Sequence, residues 1–170
     1  SLAIWVEEED EVRQGRIHRS IALTHRDDGD RETALSSLET ALALAASADD
    51  VRLQAEVQEW QGIILRSQGP LKSDDALKAY RSALANWQEL EEPVGQARVQ
   101  REIGLVYDEV LKEPAKALAA YDVALEIARN SKEPLLEAQT LQSMGVIYNE
   151  TEQVEKALEN YPDWEYLENL

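Results

Sequence analysis

Few side chains in this sequence of 170 residues are spaced for chemistry. His18 and His25 stand seven residues apart, so on one helix they would face the same way. Without a third ligand nearby they make a poor metal site, and polar surface or groove residues are the plainer reading. Asp27-Asp28-Gly29-Asp30 superficially resembles a calcium loop, but it lacks the ligand spacing and the closing Glu of one. Arg98 and Arg101, at i and i+3, suit paired recognition of carboxylates. They would either grip an acidic ligand or pair internally with Glu56, Glu59 or Glu102, which contributes little if exposed. Glu7-Glu8-Glu9-Asp10 reads as a solvated, helix-starting run of charge. No phosphate loop, nucleophile motif or HExxH is present, and no carboxylate pair is marked as catalytic. The expectation is a protein that is not an enzyme, with no cofactor and no metal.

Composition narrows the partners. With 17 Lys+Arg against 34 Asp+Glu the formal net charge is −17, which opposes binding to a phosphate backbone and argues against nucleic acid. Zero Cys removes disulfides, thiolate metal sites and a thiol nucleophile, and permits a reducing cytoplasm, the expected location. No apolar run is long enough to span a membrane, so no membrane partner is expected. The start, Ser1-Leu2-Ala3-Ile4-Trp5-Val6-Glu7-Glu8, has no basic region ahead of its apolar residues and does not read as a signal peptide. A chain that starts at Ser is expected to be a processed or excised piece.

The elements that must position these residues are set by an internal repeat. Ala76-x-x-x-Tyr80-x-x-Ala83-Leu84 returns 41 residues later as Ala117-x-x-x-Tyr121-x-x-Ala124-Leu125, and stands 42 residues earlier as Ala34-x-x-x-Leu38-x-x-Ala41-Leu42. Ala97-x-x-Gln100-x-x-Ile103-Gly104-x-x-Tyr107 returns as Ala138-x-x-Leu141-x-x-Met144-Gly145-x-x-Tyr148. It is degenerate at Ala55 to Leu65 and weakest around Ser20 and Leu23. The apolar spacing inside each block is helical, so each repeat is a helix A followed by a helix B. Turn residues separate them at Asp27–Asp30, Gln68–Pro70 and Lys112–Pro114, and Pro93 and Pro134 suit the first turn of a helix. Gly62, Gly104 and Gly145 fall in mid-helix, at a cost of about 1 kcal/mol relative to Ala, which is reasonable only where a neighbour approaches too closely for a Cβ. A single hairpin cannot bury its apolar face, so the repeats must stack. The fold expected is an all-α, right-handed α-solenoid of about four antiparallel helix-turn-helix repeats. Their bounds are about 10–49, 50–91, 92–132 and 133–161.

Gly-x-x-Tyr in the first helix and Ala-x-x-x-Tyr-x-x-Ala in the second resemble the tetratricopeptide repeat. The period of 41–42 residues is similar to the long-repeat variant of that family. The resemblance implies a scaffold for protein–protein interaction in which the A helices line a concave groove. Counting each mid-helix Gly as position 8, positions 2, 5, 9, 12 and 13 would face it. Repeat 1 then offers Gln14, Ile17, Ile21, Thr24 and His25; repeat 2 offers Glu56, Glu59, Ile63, Arg66 and Ser67. Repeat 3 offers Arg98, Arg101, Leu105, Asp108 and Glu109; repeat 4 offers Gln139, Gln142, Val146, Asn149 and Glu150. Position 9 is apolar throughout, fit either to grip apolar side chains of a peptide or to pack between adjacent A helices. The chaperone-binding members hold a C-terminal carboxylate with Asn where this chain has Ile21, Ile63, Leu105 and Val146, which disfavours that ligand.

Both ends look irregular. Residues 1–9 are an N-terminal extension of helix A or the tail of a preceding repeat. A fourth B helix begins with Val154, Ala157 and Tyr161 and meets Pro162, after which Trp164, Tyr166 and Leu167 lie among acids. Residues 162–170 read as a terminal cap, a docking motif, or a grafted sequence. The function expected is a non-enzymatic scaffold whose groove holds a protein or peptide partner, an acidic one being suited to Arg98 and Arg101. Alternatives are a sensor array that gates an effector domain outside this chain, and self-association through residues 162–170.

Overall fold

The computed structural model describes the backbone of residues 2–151 and the side chains of residues 9–151. Among them the chain is helical with no strand. The helices are α1 (Leu2–Asp27), α2 (Arg31–Ser47), α3 (Val51–Arg66), α4 (Ser73–Glu89), α5 (Pro93–Leu105), α6 (Pro114–Asn130) and α7 (Pro134–Glu150). A 3-10 turn, Pro70–Lys72, precedes α4, and α5 runs into a π-turn at Val106–Val110. The chain divides into two compact units at Glu91/Glu92. The expected second helix of repeat 4 and the Trp164, Tyr166 and Leu167 segment lie outside the described residues.

In the first unit α1 pairs with α2 and α3 with α4, and α2 packs onto α3; in the second, α5 pairs with α6, which packs onto α7. The pairing rests on one recurring contact. A Cβ on Gly62 would stand 2.5 Å from Cε1 of Tyr80, and one on Gly104 would collide with the ring of Tyr121. Both tyrosines are fully buried. Gly62 and Gly104 therefore make room for the flat ring of the helix that follows, which offsets their poor helix propensity. No described atom lies within 4 Å of a Cβ on Gly145; the next tyrosine of the pattern, Tyr161, is outside the described residues.

Repeat 1 departs from the register that a uniform period implies. Among the described residues, the small buried ones of α1 are Gly15 and Ala22, whereas Ser20 is exposed. A Cβ on Gly15 would meet Leu53 Cδ2 at 2.9 Å and Ala41 O at 3.4 Å. Gly15 and Ala22 are seven apart, as are Ala55 and Gly62, and Ala97 and Gly104. Ala22 therefore takes the place of Gly62, and Leu38 that of Tyr80: a larger residue on A opposite a smaller one on B. The cause is turn length. From Ala22 to Ala34 is 12 residues, against 14 from Gly62 to Ala76 and 13 from Gly104 to Ala117. In repeat 2 the surplus forms the 3-10 turn; in repeat 3 the single extra residue is taken up by the π-turn, the usual way a helix absorbs an insertion.

Capping changes along the chain. Asp30 accepts from Thr33 N at 3.1 Å and Asp50 from Leu53 N at 2.9 Å, satisfying free N–H groups of α2 and α3. The helices α5, α6 and α7 instead begin with Pro93, Pro114 and Pro134, which lack one of those N–H groups. The bonds from Thr33 hold the Asp30 carboxyl below its ordinary pKa. A depressed carboxylate stabilises the fold above its unfolded pKa, near 3.9, and that contribution is lost as pH falls through the folded value. Asp30→Asn, which caps without titrating, is expected to lose less melting temperature than the wild type between pH 5 and pH 3.

The turns need left-handed backbone at Gly29 and Gly69, where glycine supplies it freely, and also at Glu91, Lys112 and Lys132 with φ of 52, 56 and 57°. Lys132→Gly is expected to stabilise by up to about 1 kcal/mol in a urea titration, because that position pays the strain of a side chain at positive φ.

Candidate functional site

In the first unit, the face of α1 turned toward α3 is set by the shifted register. Positions 2, 5, 9 and 12 are Arg16, Arg19, Leu23 and Arg26, not Gln14, Ile17, Ile21 and Thr24. The contacts agree. Arg19 Nη1 pairs with Glu56 Oε2 on α3. The Arg26 guanidinium lies 4.6 Å from the centre of the Trp60 ring while donating to Asp27 Oδ1 through Nε at 2.9 Å and Nη2 at 2.6 Å. Ile21 is 40% exposed and points away from this face; Leu23, half-buried, is the residue in line with Ile63. On α3, Glu59 is buried, and Ile63 and Arg66 are half-buried. Burial lowers the pKa of Arg19, with Arg16 adding to the effect.

In register, positions 2 and 5 read Arg16 and Arg19, Glu56 and Glu59, Arg98 and Arg101, Gln139 and Gln142. The sign runs basic, acidic, basic over the first three repeats, and the fourth carries none. Within the first unit the opposite signs meet, as the Arg19–Glu56 pair shows.

The second unit separates the two arginines. Arg98 is exposed. Arg101 is half-buried, its Nη1 is 3.6 Å from Glu102 Oε1, and its Nε is buried without an acceptor. Of the three internal acids considered for these arginines, Glu102 is beside Arg101 and Glu56 is on Arg19. Leu105 joins the core with Tyr121, Leu125 and Met144, packing between helices rather than facing solvent. Asp108 lies within the π-turn, and burial and then the charge of Glu150 raise its pKa. A carboxylate with a raised folded pKa destabilises the fold where it is ionised. Asp108→Asn is therefore expected to raise the melting temperature at pH 7 and to change it little at pH 3, where the acid is neutral in both states.

In the second unit the corresponding positions of α7 are open to solvent. Gln139, Gln142, Val146 and Asn149 follow i, i+3, i+7 and i+10 along one stripe, and all four are exposed, Val146 at 49%. The stripe carries carboxamides and one branched apolar side chain and no formal charge, in a chain that is 30% charged. A carboxamide both donates and accepts, so such a row can meet the N–H and C=O groups of a peptide while Val146 contacts a side chain.

His25 Nδ1 is 3.8 Å from Asp30 Oδ2, and Asp27–Asp30 forms the turn between α1 and α2. Among the described residues no group of three or more His, Cys, Asp or Glu is arranged to hold a metal ion, and no helix is long and apolar enough to cross a membrane.

Similarity to known proteins is one of fold. No protein-family model matches the chain, and a comparison with curated proteins finds no match. Solved structures do match. The apo form of RapI superposes with a TM-score of 0.82 at 21% identity over 93% of this chain. BtubC from P. vanneervenii superposes with a TM-score of 0.79 at 21% identity over 91%. The chain spans 43% of the RapI chain and 63% of the BtubC chain, so both are longer proteins. The all-α helical-repeat fold is shared with both.

Proposed function

We propose that this chain is a tetratricopeptide-type interaction module, without catalytic activity, that holds a partner peptide or protein domain on the faces of its A helices. The observation that carries the reading is the uncharged stripe Gln139, Gln142, Val146 and Asn149 on α7, all four exposed while the equivalent positions of α3 and most of those on α5 are at least partly buried. Exposed Arg98 on α5 supplies the charge that suits an acidic residue of the partner. The mid-helix Gly facing the following Tyr, in two successive repeats, supports the tetratricopeptide assignment. A cytoplasmic location belongs to the same reading. The regulatory variant, in which the array gates another part of a longer protein, draws on the greater length of both similar structures.

The test is comparative capture from a lysate of the source cell, with mass-spectrometric readout. Wild-type bait is set against Gln142→Ala/Val146→Asp, after circular dichroism shows equal helicity. A buried carboxylate at the centre of the contact would be costly to desolvate, so partner capture is expected to fall by at least about tenfold. Identical captures by the two baits would refute the α7 stripe as the binding face.

A further inference from the structure

The π-turn at the end of α5 gathers carboxylates around a buried phenol. Tyr121 is fully buried, and a Cβ on Gly104 would stand 2.9 Å from its Cζ, the ring carbon that bears the hydroxyl. Arg101 and Asp108 lie about one turn before and one turn after Gly104, so the phenol end of the ring sits between them. Among the described residues the hydroxyl has no hydrogen-bond partner. Ser143 on α7 is close enough to affect it, but gives its own proton to Gln139 O at 3.1 Å. A buried hydroxyl left unpaired costs free energy, and its presence in a native fold needs a reason. The surrounding charge is mostly negative. Asp108 is half-buried beside Glu109, and Glu150 comes from α7, which touches α5. Burial and then Glu150 raise the pKa of Asp108, and the exposed Lys112 offsets only part of this. Burial and then the charge of Asp108 push the phenol of Tyr121 up as well. Arg101, on the other side, is engaged with Glu102.

We infer that Asp108, Glu150 and the Tyr121 hydroxyl hold the ammonium group of a lysine side chain of the partner. The inference rests on the proposed role of the A-helix faces: counted from Gly104 and Gly145 as position 8, Asp108 is position 12 and Glu150 position 13. The kind of cation follows from the donors. Among the described residues no group of acids is arranged to hold a metal ion. An ammonium on a flexible stem has three separate N–H donors, which two carboxylates and one neutral oxygen can share. The planar fork of an arginine instead pairs side by side with a single carboxylate. The hydroxyl is out of contact with water, so the nitrogen reaches it as the side chain of Asp108 or Glu109 turns aside. The cation then offsets the unfavourable burial of an ionised Asp108 and gives the orphan phenol oxygen a donor. With Arg98 on the same helix, the partner would carry both signs of charge.

The probe is the peptide acetyl-Ala-Ala-Lys-Ala-Ala-amide, with norleucine replacing lysine in the control, titrated into isotopically labelled protein and followed by NMR at low salt. The lysine peptide is expected to shift the signals of Asp108, Tyr121 and Glu150 saturably, and to bind at least about tenfold more tightly than the control. Its binding should lower the Asp108 pKa, read from the carboxyl carbon, because a bound cation favours the ionised form. Asp108→Asn/Glu150→Gln is expected to weaken the lysine peptide by at least about tenfold with circular dichroism unchanged. Tyr121→Phe removes a hydroxyl that has no partner, so the fold should be at least as stable, yet the lysine peptide should bind about threefold more weakly or worse. Equal binding of the two peptides, an Asp108 pKa unmoved at saturation, or binding untouched by Tyr121→Phe overturns the inference. Shifts spread over many surface acids with none at Tyr121 also overturn it, since a chain of net charge −17 attracts any cation. If the expected shifts are missing while partner capture still depends on Gln142 and Val146, the ammonium site fails alone. If they are found while capture is indifferent to Gln142 and Val146, the α7 stripe fails and this site stands.

Discussion

Gly62→Ala is expected to destabilise the protein by about 1–3 kcal/mol, although alanine is the better helix former by about 1 kcal/mol. The new methyl would stand 2.5 Å from Tyr80 Cε1. The ring cannot swing aside, because Tyr80 is fully buried. Repeat 1 shows the compensating exchange. There Ala22 and Leu38, both fully buried, occupy the two places that Gly62 and Tyr80 occupy in repeat 2. Gly62→Ala/Tyr80→Leu should therefore recover much of the loss, with a coupling of about 1–3 kcal/mol in a double-mutant cycle read by urea denaturation. Additive losses would show that the two residues do not share one packing site.

Arg101→Glu is expected to be nearly as damaging, at about 2–3 kcal/mol, the upper part of the range for single substitutions. The side chain of Arg101 is 21% exposed and that of Glu102 13%, so the substitution would place two carboxylates together with little water to screen them. Arg101→Met keeps the aliphatic stem and adds no charge, and should cost distinctly less. Thermal melts of the two variants at low and high salt check this, since only the Glu variant should recover with salt. The consequence is practical: a binding defect in an Arg98→Glu/Arg101→Glu protein would mix lost contact with lost stability. Gln142 and Val146 are cleaner probes because both are exposed.

The helices and their turns were legible in the sequence because local physics writes them there. Apolar spacing at i, i+4, i+7 and i+8, proline at the first helical position and paired acids or glycine in turns each act within a few residues. The glycine–tyrosine contact was legible too, since a mid-helix Gly requires a close neighbour to be worth its cost. The register of repeat 1 is less legible. Two residues missing from one turn moved every side chain of α1 around its axis, and the uniform period hid this. The sign that could have revealed it is the seven-residue interval between Gly15 and Ala22, which repeats that from Ala55 to Gly62. A uniform period aligns Ile21 with Ile63, whereas the interval from Gly15 to Ala22 aligns Leu23 with it. Periodicity also could not separate Arg98 from Arg101, or Leu105 from Val146. Members of one row on a repeat are equivalent in sequence but differ in burial, which depends on what each helix meets in space.

The most direct test of the binding role is site-specific photo-crosslinking in a lysate of the source cell. A photoreactive amino acid at Gln142, on the α7 stripe, is compared with one at Val123, which is 42% exposed on α6. A discrete protein adduct is expected from position 142 that is absent from position 123 and competed away by excess unlabelled wild type. Adducts from position 123 with none from 142 would contradict it.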